Sequence, residues 1–278
     1  MCRSCYRESY EMDRQRDNDS IIHSYHGYEL PKARPSMLHS LHKGKPFLWM
    51  GVELEAECPR ADTMEAAKSI YDTFGEGSWD SRVVLSYDSS LDSGFETITG
   101  PMSLEEHAKL WPELAPALAK AGMRSHAYHS TGMHVHVSKN FHTQLELGKM
   151  LVFLNSPKTR DNVTRIAGRT SAEYAAISPK KLTTAYRGEN YSRYEALNTT
   201  NSSTNEFRIF KGTLKTGRIL ANIEFVHALS MYVKQCSIRV CEDWPLFWAY
   251  VLKNRSIYRN LIAHFDTDTR ESEHVAAA

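Results

Sequence analysis

Along the chain the apolar positions change period several times, and each change marks an element. Pro46–Glu57 opens on an apolar run and closes in strict alternation, which predicts a strand. Met64, Ala67, Ile70, Tyr71 and Phe74 recur at helical spacing, and Gly75 and Gly77 end that helix. Arg82–Tyr87 and Gly94–Thr99 read as short strands around a turn. Ser103 with Glu106 is a capping-box signature, opening a helix of about 103–121 that Gly122 closes. Gly132–Ser138 alternates as a strand, 142–154 is helical, and 156–192 is polar and of mixed character. Tyr194–Asn198 and Asn205–Phe210 predict two further strands. From Thr216 the pattern is helical, with Leu220, Ile223, Val226, Leu229 and Val233 on one stripe. Strands early and midway, with helices between and after them, predict an α+β fold. No repeat or linker divides the chain. Residues 21–278 are expected to form one domain with a helical C-terminal part, behind a mobile polar tail at 1–20.

Composition narrows this without naming a function. The 278 residues carry 34 basic and 33 acidic side chains, a formal charge of +1, with 41% hydrophobic residues. Such a chain is not disordered, and it lacks the basic surplus of a dedicated nucleic-acid binder. Its longest apolar stretch, Trp244–Leu252, is far short of the ~18 residues of a membrane span. Met1–Tyr6 has no apolar core of a secretory signal. Five cysteines, an odd count, argue against a disulfide framework and point to the cytoplasm. Cys2 and Cys5 form a single CxxC. Zinc needs four ligands, which His23 and His26 could complete; a tail without zinc is the other reading.

The chemistry lies in the polar faces of the strands. Residues i and i+2 share a face. One face of the first strand carries Glu53, Glu55 and Glu57. His134 and His136 share a face, Glu206 and Arg208 share another, and Glu96 stands between Phe95 and Thr97. A solvated sheet face also alternates, but it mixes Lys, Thr and Ser with Glu. Faces restricted to Glu and His offer the oxygen and nitrogen ligands of divalent cations. Oxygen-rich ligation favours Mg²⁺ or Mn²⁺, and the nearby arginine suits a phosphoryl group. No GxxxxGK[ST] loop is present, so the chain is not a P-loop enzyme.

Gly51-Val-Glu-Leu-Glu55, Gly94-Phe-Glu-Thr-Ile-Thr-Gly-Pro101, Gly132-Met-His-Val-His-Val137, Arg193-Tyr-Glu-Ala-Leu-Asn198 and Thr204-Asn-Glu-Phe-Arg-Ile-Phe-Lys-Gly-Thr-Leu214 form one ordered run. In this order they resemble the amidoligase family of bacteria and their phages. That family lies within the carboxylate–amine ligase group of glutamine synthetase and glutamate–cysteine ligase. The resemblance covers about 21–231. It implies a glutamine synthetase-like curved antiparallel sheet, with helices on its outer face and two or three Mg²⁺ ions around ATP on its inner face. By position it implies metal ligands at Glu53, Glu55, Glu96, His134, His136 and Glu206. It implies catalytic roles for Glu206, Arg208 and Arg193, and nucleotide or substrate contacts at Arg193, Asn198, Arg208 and Lys211. Lys180–Arg187 is either a loop over the nucleotide or a plain solvated loop.

The implied reaction is ATP-dependent amide formation through an acyl phosphate. The acid and amine could come from a glutamate-like molecule, a cell-wall peptide, a protein side chain or a modified nucleobase. A metal-dependent phosphohydrolase or nucleotidyl transferase on the same acids is an alternative, as is a non-catalytic binding protein retaining the fold. Asp88 and Asp92 are explained by turn chemistry, with contact to a substrate amine as the second reading. His126 and His129 are expected in a surface loop. The tryptophans are expected in packing roles.

Overall fold

A computed structural model describes residues 21–24, 29–31, 46–75, 81–126, 131–169 and 195–266. The tail with Cys2 and Cys5, Lys180–Arg187, His26, His129 and Arg193 lie outside the described residues.

Among the described residues six strands form one open antiparallel sheet: β1 (Met50–Glu57), β2 (Val83–Ser86), β3 (Gly94–Thr99), β4 (Gly132–Ser138), β5 (Leu197–Asn198) and β6 (Thr204–Lys211). Their order is β2-β3-β1-β4-β6-β5. The α+β expectation is met in this form. Strand β1 is shorter than the apolar run that predicted it, because Pro46–Trp49 precedes the ladder. The edge at β2 is covered in part by the chain around His23, whose N–H donates to Leu85 O and whose carbonyl accepts from Tyr87.

Helices α1 (Thr63–Phe74), α2 (Leu104–Lys120), α3 (Gln144–Asn155), α4 (Arg160–Ala167), α5 (Thr216–Gln235) and α6 (Trp244–Lys253) complete the described core. In α2 the buried stripe is His107, Leu110, Trp111, Leu114, Ala115 and Leu118, the i, i+3, i+4, i+7 pattern of one face. Pro112 and Pro116 stand inside this helix on its exposed side, so the hydrogen bonds they remove are lost where water can replace them. Ser103 caps α2 through its Oγ, but the reciprocal capping box belongs to Thr143 and Glu146 at the start of α3. Helix α4 lies within the stretch expected to be of mixed polar character. It buries only Val163, Ile166 and Ala167, a single i, i+3, i+4 run in an otherwise polar sequence.

Helix α5 is buried on most of its circumference and packs on the apolar side of the sheet. Phe225 meets Phe210 edge-on, and Asn222 reaches Met133. Lys149 of α3 donates to Val233 O and Cys236 O, satisfying carbonyls at the C-terminal end of α5. With helices on the apolar side, the acidic and histidine side chains share the other face. Among the described residues no helix is long and apolar enough to cross a membrane.

Candidate functional site

Antiparallel register brings the polar faces of four strands together. Glu53 stands opposite His134, Glu55 opposite Glu96, and His136 between Gly51 and Glu206. Beyond β6, Asn198 stands opposite Glu206. Residues of five separate sequence motifs thus meet as neighbours on one surface. Gly51 leaves the position beside His136 without a side chain.

The contacts are close. His134 Nδ1 lies 3.3 Å from Glu53 Oε2 and 3.4 Å from Glu206 Oε1, and its Nε2 lies 3.9 Å from Glu55 Oε1. His136 Nε2 is 3.0 Å from Glu53 Oε1, and Thr204 Oγ1 is 3.0 Å from its Nδ1. Glu206 Oε1 accepts from Arg208. Its Oε2 accepts from Asn198 at 2.9 Å and Asn201 at 3.4 Å.

Burial sets the charge states apart. Burial pushes Glu53 upward, but His136 and His134 outweigh it and hold this carboxyl well below the usual range. Glu55 is raised by burial, against the pull of His134 and the Gly132 N–H. Glu96 is raised well above the carboxylate range by burial and then by Glu53, Glu55, Asp88 and Glu206. Burial disfavours charge on His136, yet Glu53 and Glu206 raise it above the ordinary imidazole value.

Glu96 is the telling residue. It is 5% exposed, it makes no hydrogen bond or ion pair among the described residues, and its charged neighbours are carboxylates. A buried carboxylate without a partner is costly, and a cation among the acids removes that cost. Three overlapping sets have ligand atoms within 4.8 Å of one another: Glu53, Glu96 and His134; Glu53, His136 and Glu206; Glu55, Asp88 and Glu96. The residues therefore fit divalent cations. The third set offers oxygen alone, which suits Mg²⁺ or Mn²⁺.

All six expected metal ligands lie in this cluster. Glu57, which shares their strand face, is spent elsewhere. Its carboxylate accepts from the Asp92 and Ser93 amides at 3.0 and 2.8 Å and shapes the turn before β3. Asp88 does fold its own turn, accepting from the Ser90 N–H at 2.7 Å, but it also stands with Glu55 and Glu96. The sequence offered it turn chemistry and, second, a substrate-amine contact, but not a place in a ligand set, since its spacing is that of any turn aspartate. Asn198 donates to Glu206, and its Oδ1 accepts from the Thr200 backbone and hydroxyl.

Arg169, just after α4, has no sequence signal at all. Its guanidinium sits where a side chain on Gly132 would be, 3.3 Å from the position a Cβ would take, with Glu55 Oε2 3.2 Å and His134 Nε2 3.4 Å from the same point. Burial and the nearby Arg208 hold its pKa below the usual guanidinium range, while Glu55 opposes them.

Strand β6 contains a register shift. Val135 pairs with Phe207 but Met133 pairs with Phe210, so Arg208 and Ile209 together oppose His134. Plain alternation would put Lys211 with Phe207 on the apolar side. The bulge turns Lys211 onto the polar face, opposite Gly132.

Comparisons with known proteins add no relative: no protein-family model matches the chain, and no curated protein matches it significantly.

Proposed function

We propose that the protein is a cytoplasmic ATP- and Mg²⁺-dependent carboxylate–amine ligase of glutamine synthetase-like fold. The observation that supports this reading is the buried, unpaired Glu96 in a Glu/His cluster, with Arg208 and Arg169 beside it on the same sheet face. Two or three divalent ions held by Glu53, Glu55, Glu96, Asp88, His134, His136 and Glu206 would screen the charge of a triphosphate. A site combining acids for cations with guanidinium groups for oxyanions suits phosphoryl transfer.

In the proposed reaction a substrate carboxylate oxygen bonds to the γ-phosphorus of ATP, and the bond to the ADP oxygen breaks. An amine then attacks the acyl carbon, inorganic phosphate leaves, and the nitrogen loses a proton to give the amide. Arg208 would lie against the transferring phosphoryl group, its guanidinium oriented by Glu206. Asn198 and Asn201 hold Glu206 in place for both contacts. Resemblance assigns Arg193 to the phosphates as well.

The test is product analysis with ATP, Mg²⁺ and panels of carboxylates and amines. A ligase releases ADP and phosphate in step with amide, and only when both acceptors are present. ADP without acceptors identifies a phosphohydrolase, and pyrophosphate release a nucleotidyl transferase. Either outcome would replace the ligase reading.

A further inference from the structure

A cationic track continues from the acid cluster toward the start of α5. Arg169 lies over Gly132, and Gly132 pairs with Lys211 across β4 and β6. Gly168 precedes Arg169 at a positive φ of 65°. A Cβ there would overlap the Arg218 guanidinium, so this glycine both makes the turn and clears room for the arginine. His126 stands among Lys211, Arg218 and Lys215; Lys211 first, then burial, then the other two push its pKa down. Among the described residues no carboxylate pairs with Lys211, Lys215 or Arg218. Arg218 Nε is buried without a hydrogen-bond partner. Lys211, Lys215 and Arg218, gathered without counter-charge among the described residues, repel one another, and an anion bridging them relieves the repulsion.

We infer that Arg169, Lys211 and Arg218, with Lys215 beside them, form a second oxyanion subsite, which takes an anionic group of the acceptor substrate. The word acceptor rests on the ligase reading; the subsite itself rests on the track. Lys211 is thereby assigned to the substrate end of the face rather than to the nucleotide. A phosphate and a carboxylate share the required chemistry: several oxygens to meet forked and point cations.

The test is calorimetric binding of pyrophosphate and, separately, tricarballylate to the metal-free full chain, alongside Mn²⁺–ATP binding. Wild type should bind at least one anion, and which one identifies a phosphate- or carboxylate-bearing substrate. Arg218→Gln and Lys215→Gln should each weaken that binding about tenfold and leave Mn²⁺–ATP affinity within twofold. The inference falls if neither anion binds, if both substitutions leave anion binding unchanged, or if Mn²⁺–ATP affinity drops in parallel. Because Arg218 packs on Gly168, its variant is checked by thermal unfolding; Lys215, which is exposed, decides the matter if that variant does not fold. If wild type binds an anion but not Mn²⁺–ATP, the ligase reading fails and the subsite stands.

Discussion

Asn198 donates its amide to Glu206 Oε2 at 2.9 Å, and Thr200 dictates which way round the carboxamide sits. Since Asn198 Oδ1 accepts from the Thr200 N–H, only Nδ2 remains for the glutamate. The turn carrying both is anchored by Lys139, which donates to Thr199 O and Asn201 O. Asn198→Asp would place a second carboxylate against Glu206. Support of this kind commonly accounts for about 10–100-fold in metal affinity, and a Mn²⁺ titration should show a loss in that range. Unchanged Mn²⁺ affinity would remove Glu206 from the ligand set.

Glu96→Gln should separate stability from binding. The substitution removes one of several crowded buried carboxylates, so the metal-free protein should gain on the order of 1 kcal/mol, a rise of about 2 °C in the unfolding midpoint. The same variant should lose most of the additional stabilisation that Mn²⁺ gives wild type. Thermal scans with and without Mn²⁺ read both effects, and a fall in metal-free stability would contradict the electrostatic account.

Glu206→Ala and Arg208→Ala should each lower ATP turnover by at least about 10²–10³-fold, as loss of a transition-state contact does. Circular dichroism should show the fold retained, since both side chains lie on the polar face and leave the apolar packing untouched. Wild-type turnover by either variant would remove it from the proposed chemistry.

Stability should fall with acid through two histidines away from the cluster. His107 is buried and His227 half-buried, and desolvation holds both down to about 4. His107 is committed as a neutral ring: Nε2 donates to Met50 O, and Nδ1 accepts from Trp111 Nε1. The unfolded chain protonates these rings near 6.5. Their contribution is therefore complete above about pH 6.5 and is lost as pH falls toward about 4. Each should contribute on the order of 1–3 kcal/mol. Urea denaturation at pH 7.5 and 5 should show the drop, and His107→Gln should flatten it.

Alternation carried most of the sheet: β3 and β4 lie where their periods placed them, and β1 and β6 differ at their ends. It also placed the ligand residues on shared faces, because a period of two is a local property of the strand. Neighbour relations between strands are not local. That Glu55 faces Glu96, or that His136 lies between Gly51 and Glu206, depends on register fixed by the whole fold. Asp88 reaches the cluster through a turn that Glu57 shapes, and Arg169 from just past the end of a short polar helix whose placement against the sheet is not local. Neither was legible from the sequence for that reason.

The single additional residue in β6 acts as a phase shifter between two codes. Before it, even-numbered positions face the acids; after it, odd-numbered ones do. Deleting Ile209 would restore plain alternation, with Phe210 still opposite Met133 and Lys211 still opposite Gly132. Straightening the strand with Ile209 kept would instead turn an aromatic ring into the charged surface and an ammonium into the core. Charge thus fixes the bulge in place: the extra residue can be lost with both faces kept, but it cannot be absorbed into the ladder.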